Sequence, residues 1–294
     1  MESRKLFVLP HKLLIALLLF TSTLCLSFIV PTNLNISQII GINKPKIKIV
    51  NSKADNQQRV AEFQIAMEAS LNEQLKQKNL LSVSPTSFNG KIIYEIKPIG
   101  NKKVIALTFD DGPWKNSTRQ TLDILKKNNI KATFFVVGQA LKNNPELGKQ
   151  VITEGHAIGN HTWHHWYHFM NSQVAAFEID QTTDLIYQVT GVKTNLFRPP
   201  GGHLSNGLVA HARNQKYATL MWSADSRDFQ QPAPATLVNN VLKNARPGGI
   251  ILLHDGGGDR ARTIQALPQI IAKLKQQGYS FVTIPELLEM EAKK

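Results

Sequence analysis

The chain has 294 residues, 42% of them hydrophobic, and a formal net charge of +13 at pH 7. That apolar content supports a sizeable core and excludes a wholly disordered chain, while the positive balance favours anionic surroundings such as phospholipid, nucleic acid or an acidic wall polymer. Cys25 is the only cysteine, so no intrachain disulfide and no cysteine-based zinc site can form, and any metal must be held by His, Asp or Glu. The basic residues are spread along the chain without a compact block or a nucleic-acid motif, which argues against nucleic-acid binding.

Arg4, Lys5 and Lys12 precede an uncharged run at 13–30. The run is near the lower length limit for crossing a hydrocarbon core, where about 20 residues are typical. Basic residues ahead of it should stay in the cytoplasm. No A-x-A-like cleavage site is evident around 22–31, so an uncleaved signal-anchor is preferred over a cleaved signal peptide. Residues 1–30 are therefore expected to be an anchor or signal, with the rest of the protein outside the cytoplasm. Residues 31–91 read as a linker. Within it, Phe63, Met67, Leu71 and Leu75 recur four apart, which predicts an amphipathic helix over 60–81.

From residue 92 onward lies the main domain, and its strongest signal is the stretch 104–112. A mostly apolar, β-rich run predicts a strand over 104–109 buried on both faces. It ends in two adjacent carboxylates, Asp110 and Asp111, followed by Gly112 and Pro113. Neighbouring carboxylates at the mouth of a buried strand repel unless a cation or a shared proton offsets the repulsion. On this stretch alone they read equally well as turn formers before a helix. Beyond it, helices are expected at 117–128 with Ser117 as N-cap, 145–154, 174–188, 205–214, 234–244, 263–277 and 285–292. Strands are expected at 132–137, 157–160, 196–198, 218–223, 250–253 and 280–282. This alternation predicts a parallel sheet with right-handed crossovers, doubly wound or barrel-shaped, whose functional residues sit at the carboxyl ends of the strands.

Polar residues recur at those predicted ends. His161 and His165 are four apart, so if this stretch opens a helix both imidazoles leave one face and can share an ion. His164 and His168 have the same spacing and are expected to be surface or supporting histidines. Together with the aspartates, the first pair would make a two-His, one-carboxylate site with positions open for water and substrate. Arg198 stands before Pro199-Pro200-Gly201-Gly202, Asp225 and Asp228 follow the 218–223 strand, and His254-Asp255 follow the 250–253 strand. Any one of these alone is as consistent with a turn, a cap or an ion pair.

Taken in order, Thr108-Phe109-Asp110-Asp111-Gly112, His161-Thr162-x-x-His165, Arg198-Pro199-Pro200-x-Gly202, Asp225-x-x-Asp228-Phe229 and Leu252-x-His254 resemble the five motifs of the polysaccharide deacetylases. This is the NodB-homology group, carbohydrate esterase family four. The resemblance runs over about residues 92–290. It implies a distorted (β/α) barrel of seven or eight strands and a divalent metal, zinc first, with cobalt, manganese or nickel as other options. It also implies Asp111, His161 and His165 as ligands, Asp110 as general base and His254 as general acid. Arg198 would hold Asp110, and Asp228 would orient and tune His254. Leu252 would line the acetyl pocket, with Gly201, Trp222 and Phe229 also facing substrate. Two positions depart from the family: Phe229 stands for the usual Trp and Gly201 for the common Tyr. The expectation is a monomeric, envelope-facing N-deacetylase of a peptidoglycan- or chitin-like polymer. O-acetyl ester hydrolysis on xylan and a non-catalytic glycan-binding barrel are the competing readings.

Overall fold

In the computed structural model, the described residues are 59, 62–67, 82–98, 100 and 102–292. The chain divides into two units, Met1–Phe63 and Gln64–Lys294. The expected anchor at 1–30 lies outside the described residues, and among those residues no helix is long and apolar enough to cross a membrane. Of the amphipathic helix expected over 60–81, residues 62–67 are helical and the remainder lies outside the described residues.

Strands and helices alternate through the second unit as β1 (Ile92–Ile93), β2 (Val104–Asp110), α1 (Ser117–Lys127), β3 (Thr133–Val136), α2 (Gly138–Asn143), α3 (Pro145–Thr153) and β4 (Ala157–Asn160). They continue as α4 (Ser172–Thr190), β5 (Leu196–Phe197), α5 (Leu208–Asn214), β6 (Ala218–Leu220), β7 (Ala224–Asp225), α6 (Pro234–Asn244), β8 (Gly249–His254), α7 (Ala261–Gln276), β9 (Ser280–Phe281) and α8 (Ile284–Ala292). The strands form one sheet in the order β1-β6-β5-β4-β3-β2-β8-β7, and every ladder in it is parallel. β2 is its centre. β8 runs along one edge of β2 from Ile105 to Asp110. The other edge is shared by β9 at Val104 and Ile105 and by β3 from Thr108 onward.

The path of the chain curls this sheet. β6 lies near one end of the strand order and β7 at the other, yet only residues 221–223 separate them. Four residue steps span at most about 14 Å, so the two ends are drawn together into an open half-barrel. Glu95, just after β1, bridges to Gly249 at the foot of β8, and the Ile96 N–H donates to the Gly248 carbonyl at 3.0 Å. The barrel expected from the sequence is thus realised as a curled, open parallel sheet.

Alternation along β2 sorts its side chains. Ile105, Leu107 and Phe109 join the apolar layer shared with α1, α6 and α7, while Val104 and Ala106 join a second cluster with Phe135, Leu196, Leu220 and Ile250. Thr108 and Asp110 continue the second face, so the strand's last carboxylate points to the concave side. On β8 the same rule groups Ile250, Leu252 and His254.

Three local expectations are corrected. The strand expected over 218–223 stops at Leu220, because the carbonyls of Leu220 and Met221 accept from the Arg198 guanidinium at 3.0 and 3.2 Å. The helix expected over 205–214 begins at Leu208, after Gly207 with φ 98°. Ser117 opens α1 without capping it, since its hydroxyl donates to the Asp255 carbonyl at 2.6 Å.

Phe109 is fully buried and its ring stacks on Phe134 at 5.2 Å between centroids, whereas Phe229 is 51% exposed. Phe109→Ala is expected to cost about 3–5 kcal/mol and Phe229→Ala no more than about 0.5 kcal/mol, measured by urea unfolding. Equal losses would contradict this assignment of core and rim.

Candidate active site

Register brings the site together. Asp110 at the end of β2 is the cross-strand partner of His254 at the end of β8 and of Phe135 on β3, and neighbouring strands lie about 4.8 Å apart. Two titratable groups distant in sequence therefore emerge side by side on one rim.

Arg198, just past β5, is fully buried. Its Nη1 donates to Asp110 Oδ1 at 2.7 Å and to Thr108 Oγ1 at 2.8 Å. The Thr108 hydroxyl donates in turn to the Ile251 carbonyl at 2.6 Å, and the guanidinium plane lies over the Phe135 ring at 4.1 Å. One oxygen of Asp110 is thus committed to Arg198. The other, Oδ2, faces His161 Nε2 at 3.7 Å.

Asp111 faces two imidazoles. His161 Nε2 lies 3.5 Å and His165 Nε2 3.1 Å from Asp111 Oδ1, and suitable ligand atoms of the three residues all fall within 4.8 Å of one another. His161 Nδ1 donates to the Arg198 carbonyl at 2.7 Å, which leaves Nε2 as the lone-pair nitrogen. Asp111 Oδ1 is buried and accepts no hydrogen bond among the described residues. An acceptor stranded between two imidazole nitrogens is suited to a cation. Burial opposes the charged form of Asp111, and the charges that His161 and His165 carry when protonated more than offset it, holding the carboxyl well below the usual carboxylate range.

The two histidines meet without a helix. Residues 161–170 form an irregular loop in which Thr162 (φ 67°) and His165 (φ 63°) adopt left-handed conformations, and these turns, rather than helical periodicity, bring the imidazoles to one side. Glu178 on α4 pins the loop from below: fully buried, it accepts from the N–H groups of Trp163 and His164 at 3.0 and 2.8 Å and pairs with His164 Nδ1 at 2.5 Å. His164 is accordingly a supporting residue, and His168 lies on the exposed side of the loop.

At the other half of the rim, Asp228 grips His254 twice. Its Oδ1 lies 2.6 Å from His254 Nδ1, and its Oδ2 accepts the His254 N–H at 2.8 Å and the Thr263 hydroxyl at 3.0 Å. Burial alone would lower the imidazole pKa. The Asp228 hydrogen bond and charge, aided by Asp111 and Asp110, outweigh it and raise His254 to about 9.

These groups border a cavity of about 1110 Å³ whose lining includes Trp222, Gly201, Leu252 and Phe229. All four residues expected to face substrate do border it. Arg198 and Asp228 stand behind the lining. Arg260 and Gly257 carried no signal that the sequence reading used, and Asp255 was noted only as a polar residue after its strand. Arg260 borders the cavity with Nη2 3.7 Å from Asp111 Oδ2. Asp255, fully buried, is raised to about 7 by burial and by Asp111 and Asp110, against the hydrogen bond from Thr118. Gly257 lets its loop close on the site, since a Cβ there would lie 2.4 Å from Asp111 Oδ2. The three glycines at 256–258, directly after His254-Asp255, were the available clue.

A curled parallel sheet with a carboxylate and two imidazoles at its strand ends, flanked by a clamped carboxylate and a clamped histidine, defines the carbohydrate-deacetylase class of hydrolases. The chain belongs to the polysaccharide deacetylase family, which its sequence matches over residues 97–220. It is 45% identical over 202 residues to a peptidoglycan-N-acetylglucosamine deacetylase of Bacillus cereus, covering 68% of this chain and 93% of that one. It is 36% identical over 204 residues to the peptidoglycan-N-acetylmuramic acid deacetylase PdaA of Bacillus subtilis, covering 66% and 76%. Among solved structures, a family-four pseudoenzyme from Bacillus anthracis superposes with a TM-score of 0.62 at 32% identity, covering 68% of this chain and 69% of that one.

Asp111→Ala and His161→Ala are expected to abolish binding of a divalent metal, while His254→Ala retains it, as read by metal analysis of the purified proteins. Glu178→Ala, which frees the Trp163 and His164 N–H groups and the His164 ring from their buried partner, should lower stability by about 1–3 kcal/mol, read by urea unfolding.

Proposed function

We propose that the protein is an exported, metal-dependent hydrolase that removes N-acetyl groups from peptidoglycan, giving acetate and a free amino sugar. The observation that carries this reading is the convergence of the Asp111-His161-His165 cluster with two separately clamped proton-transfer groups, Asp110 and His254, on one rim. Relatives that act on peptidoglycan, the basic charge and the uncharged run at 13–30 behind basic residues support a substrate at the cell envelope. The protein is read as a membrane-anchored monomer with residues 92–294 outside the cytoplasm.

Asp111, His161 and His165 would hold the ion, zinc first and cobalt, manganese or nickel otherwise. Bound there, it supplies Lewis-acid polarisation of the acetyl carbonyl and a more acidic water. Asp110, fixed through Oδ1 by Arg198, keeps Oδ2 to take the proton of the attacking water. The Gly201 backbone N–H, bordering the cavity, would donate to the oxygen that gains charge. His254, bound through Nδ1 to Asp228, has Nε2 left to protonate the departing nitrogen, because an amine does not leave as an amide anion. Leu252 would pack against the acetyl methyl, with Trp222 and Phe229 as walls for the sugar.

The deciding assay compares acetate release by the full-length protein from peptidoglycan, chitin oligosaccharides and acetylated xylan, with chelation and metal add-back. Release from xylan alone would replace the amide by an ester substrate, and no release from any would favour a binding role. His254→Ala should lose about 10²–10⁴-fold in turnover. Asp228→Asn removes the carboxylate that raises His254, so the alkaline limb of the pH–rate profile should move from about 9 toward the ordinary imidazole value of about 6.5. A limb that stays in place would remove His254 from the role of acid.

A further inference from the structure

The loop that delivers His161 and His165 to the rim continues directly into Tyr167. Its ring meets His165 edge-on at 5.1 Å between centroids and His203 at 5.6 Å. It borders the cavity, yet Tyr167 is 54% exposed. The ring also lies over Gly201: a Cβ on that glycine would come within 2.9 Å of Tyr167 Cε1 and 3.1 Å of Cδ1. Gly201 itself has φ 59°, in the left-handed region that favours glycine. No side chain can rise from residue 201 without displacing the tyrosine, so the cavity wall above this stretch of backbone is supplied by residue 167.

This ring does not serve the core. It is more than half exposed, and the backbone N–H of neighbouring His165 is already held by the Thr162 hydroxyl at 3.0 Å. A flat aromatic face held open beside a polar site suits the C–H face of a pyranose, which offers apolar area between its hydroxyls. Phe229 stands 6.1 Å from His254, so exposed rings flank both groups: Tyr167 beside the Asp111-His161-His165 cluster and Phe229 beside the histidine.

We propose that Tyr167 is a specificity-determining residue that contacts the acetamido-bearing sugar, its ring filling the space that Gly201 leaves open above the rim. The inference rests on the deacetylase reading, and its test separates the two by measuring binding as well as turnover. The full-length protein and its Tyr167→Ala, Tyr167→Phe, Gly201→Ala and double Tyr167→Ala/Gly201→Ala variants are compared on a tetrasaccharide of N-acetylglucosamine. KM, kcat, calorimetric affinity for the tetrasaccharide and metal content are read separately. Tyr167→Ala is expected to raise KM and weaken affinity about tenfold, the size of one aromatic contact, with metal content unchanged. Tyr167→Phe keeps the ring and should stay within about threefold of the wild type. Gly201→Ala should cost less once Tyr167 is already alanine, because the clash it creates is with that ring. Unchanged KM and affinity in Tyr167→Ala, or a loss matched by lost metal, would overturn the proposal. If the wild type releases no acetate, the deacetylase reading falls. The affinity comparison then still decides Tyr167, loss of binding supporting the contact and unchanged binding overturning it.

Discussion

A guanidinium shut away from water must meet a partner at its donors or bear the cost of an uncompensated buried charge. Arg198 meets that condition through Asp110, Thr108 and the carbonyls of Leu220 and Met221. Those partners sit on β2 and at the end of β6, while Arg198 itself follows β5, so one side chain ties three strand ends across the concave face. Its main chain takes part as well, since its carbonyl receives His161 Nδ1. The residue that fixes the free carboxylate also orients one imidazole of the cluster.

The two adjacent aspartates are separated chemically by what surrounds them. Asp110 points to the concave face, where Arg198 occupies one oxygen. Asp111 follows with φ 74°, which turns its carboxylate toward His161 and His165. The repulsion implied by two neighbouring charges is met by a guanidinium on one side and, on the other, by Arg260 at 3.7 Å and by two imidazoles placed to share a cation with Asp111. A second carboxylate–histidine pair, Asp228 with His254, stands at the end of the neighbouring strand, where the carboxylate holds both the imidazole and the backbone N–H of the histidine.

Much of this was legible because a parallel α/β sheet sends its strand ends to one rim, so polar residues closing apolar runs could be grouped before any geometry was known. Asp110, Asp111, Arg198 and His254 all obeyed that rule. The histidine loop did not. A β-branched residue such as Thr162 gives no hint that it will adopt a left-handed conformation, so helical spacing was the wrong account of how the two imidazoles come to one side. The early end of β6 was equally hidden, since the carbonyls that would extend it are taken by a side chain more than twenty positions earlier. Glu178 reads as an ordinary polar helix residue until its burial under the loop is seen. The anchor and most of the linker expected before residue 82 fall outside the described residues.

The hydrogen-bonded ladder between β2 and β8 fixes the spacing of Asp110 and His254 by the same repeat that sets every pair of neighbouring strands. Asp110 and His254 thus inherit the stiffness of the sheet, whereas His161, His165, Tyr167, Gly201 and Phe229 belong to connecting segments. Substitutions in those loops leave the separation of Asp110 and His254 where the ladder holds it.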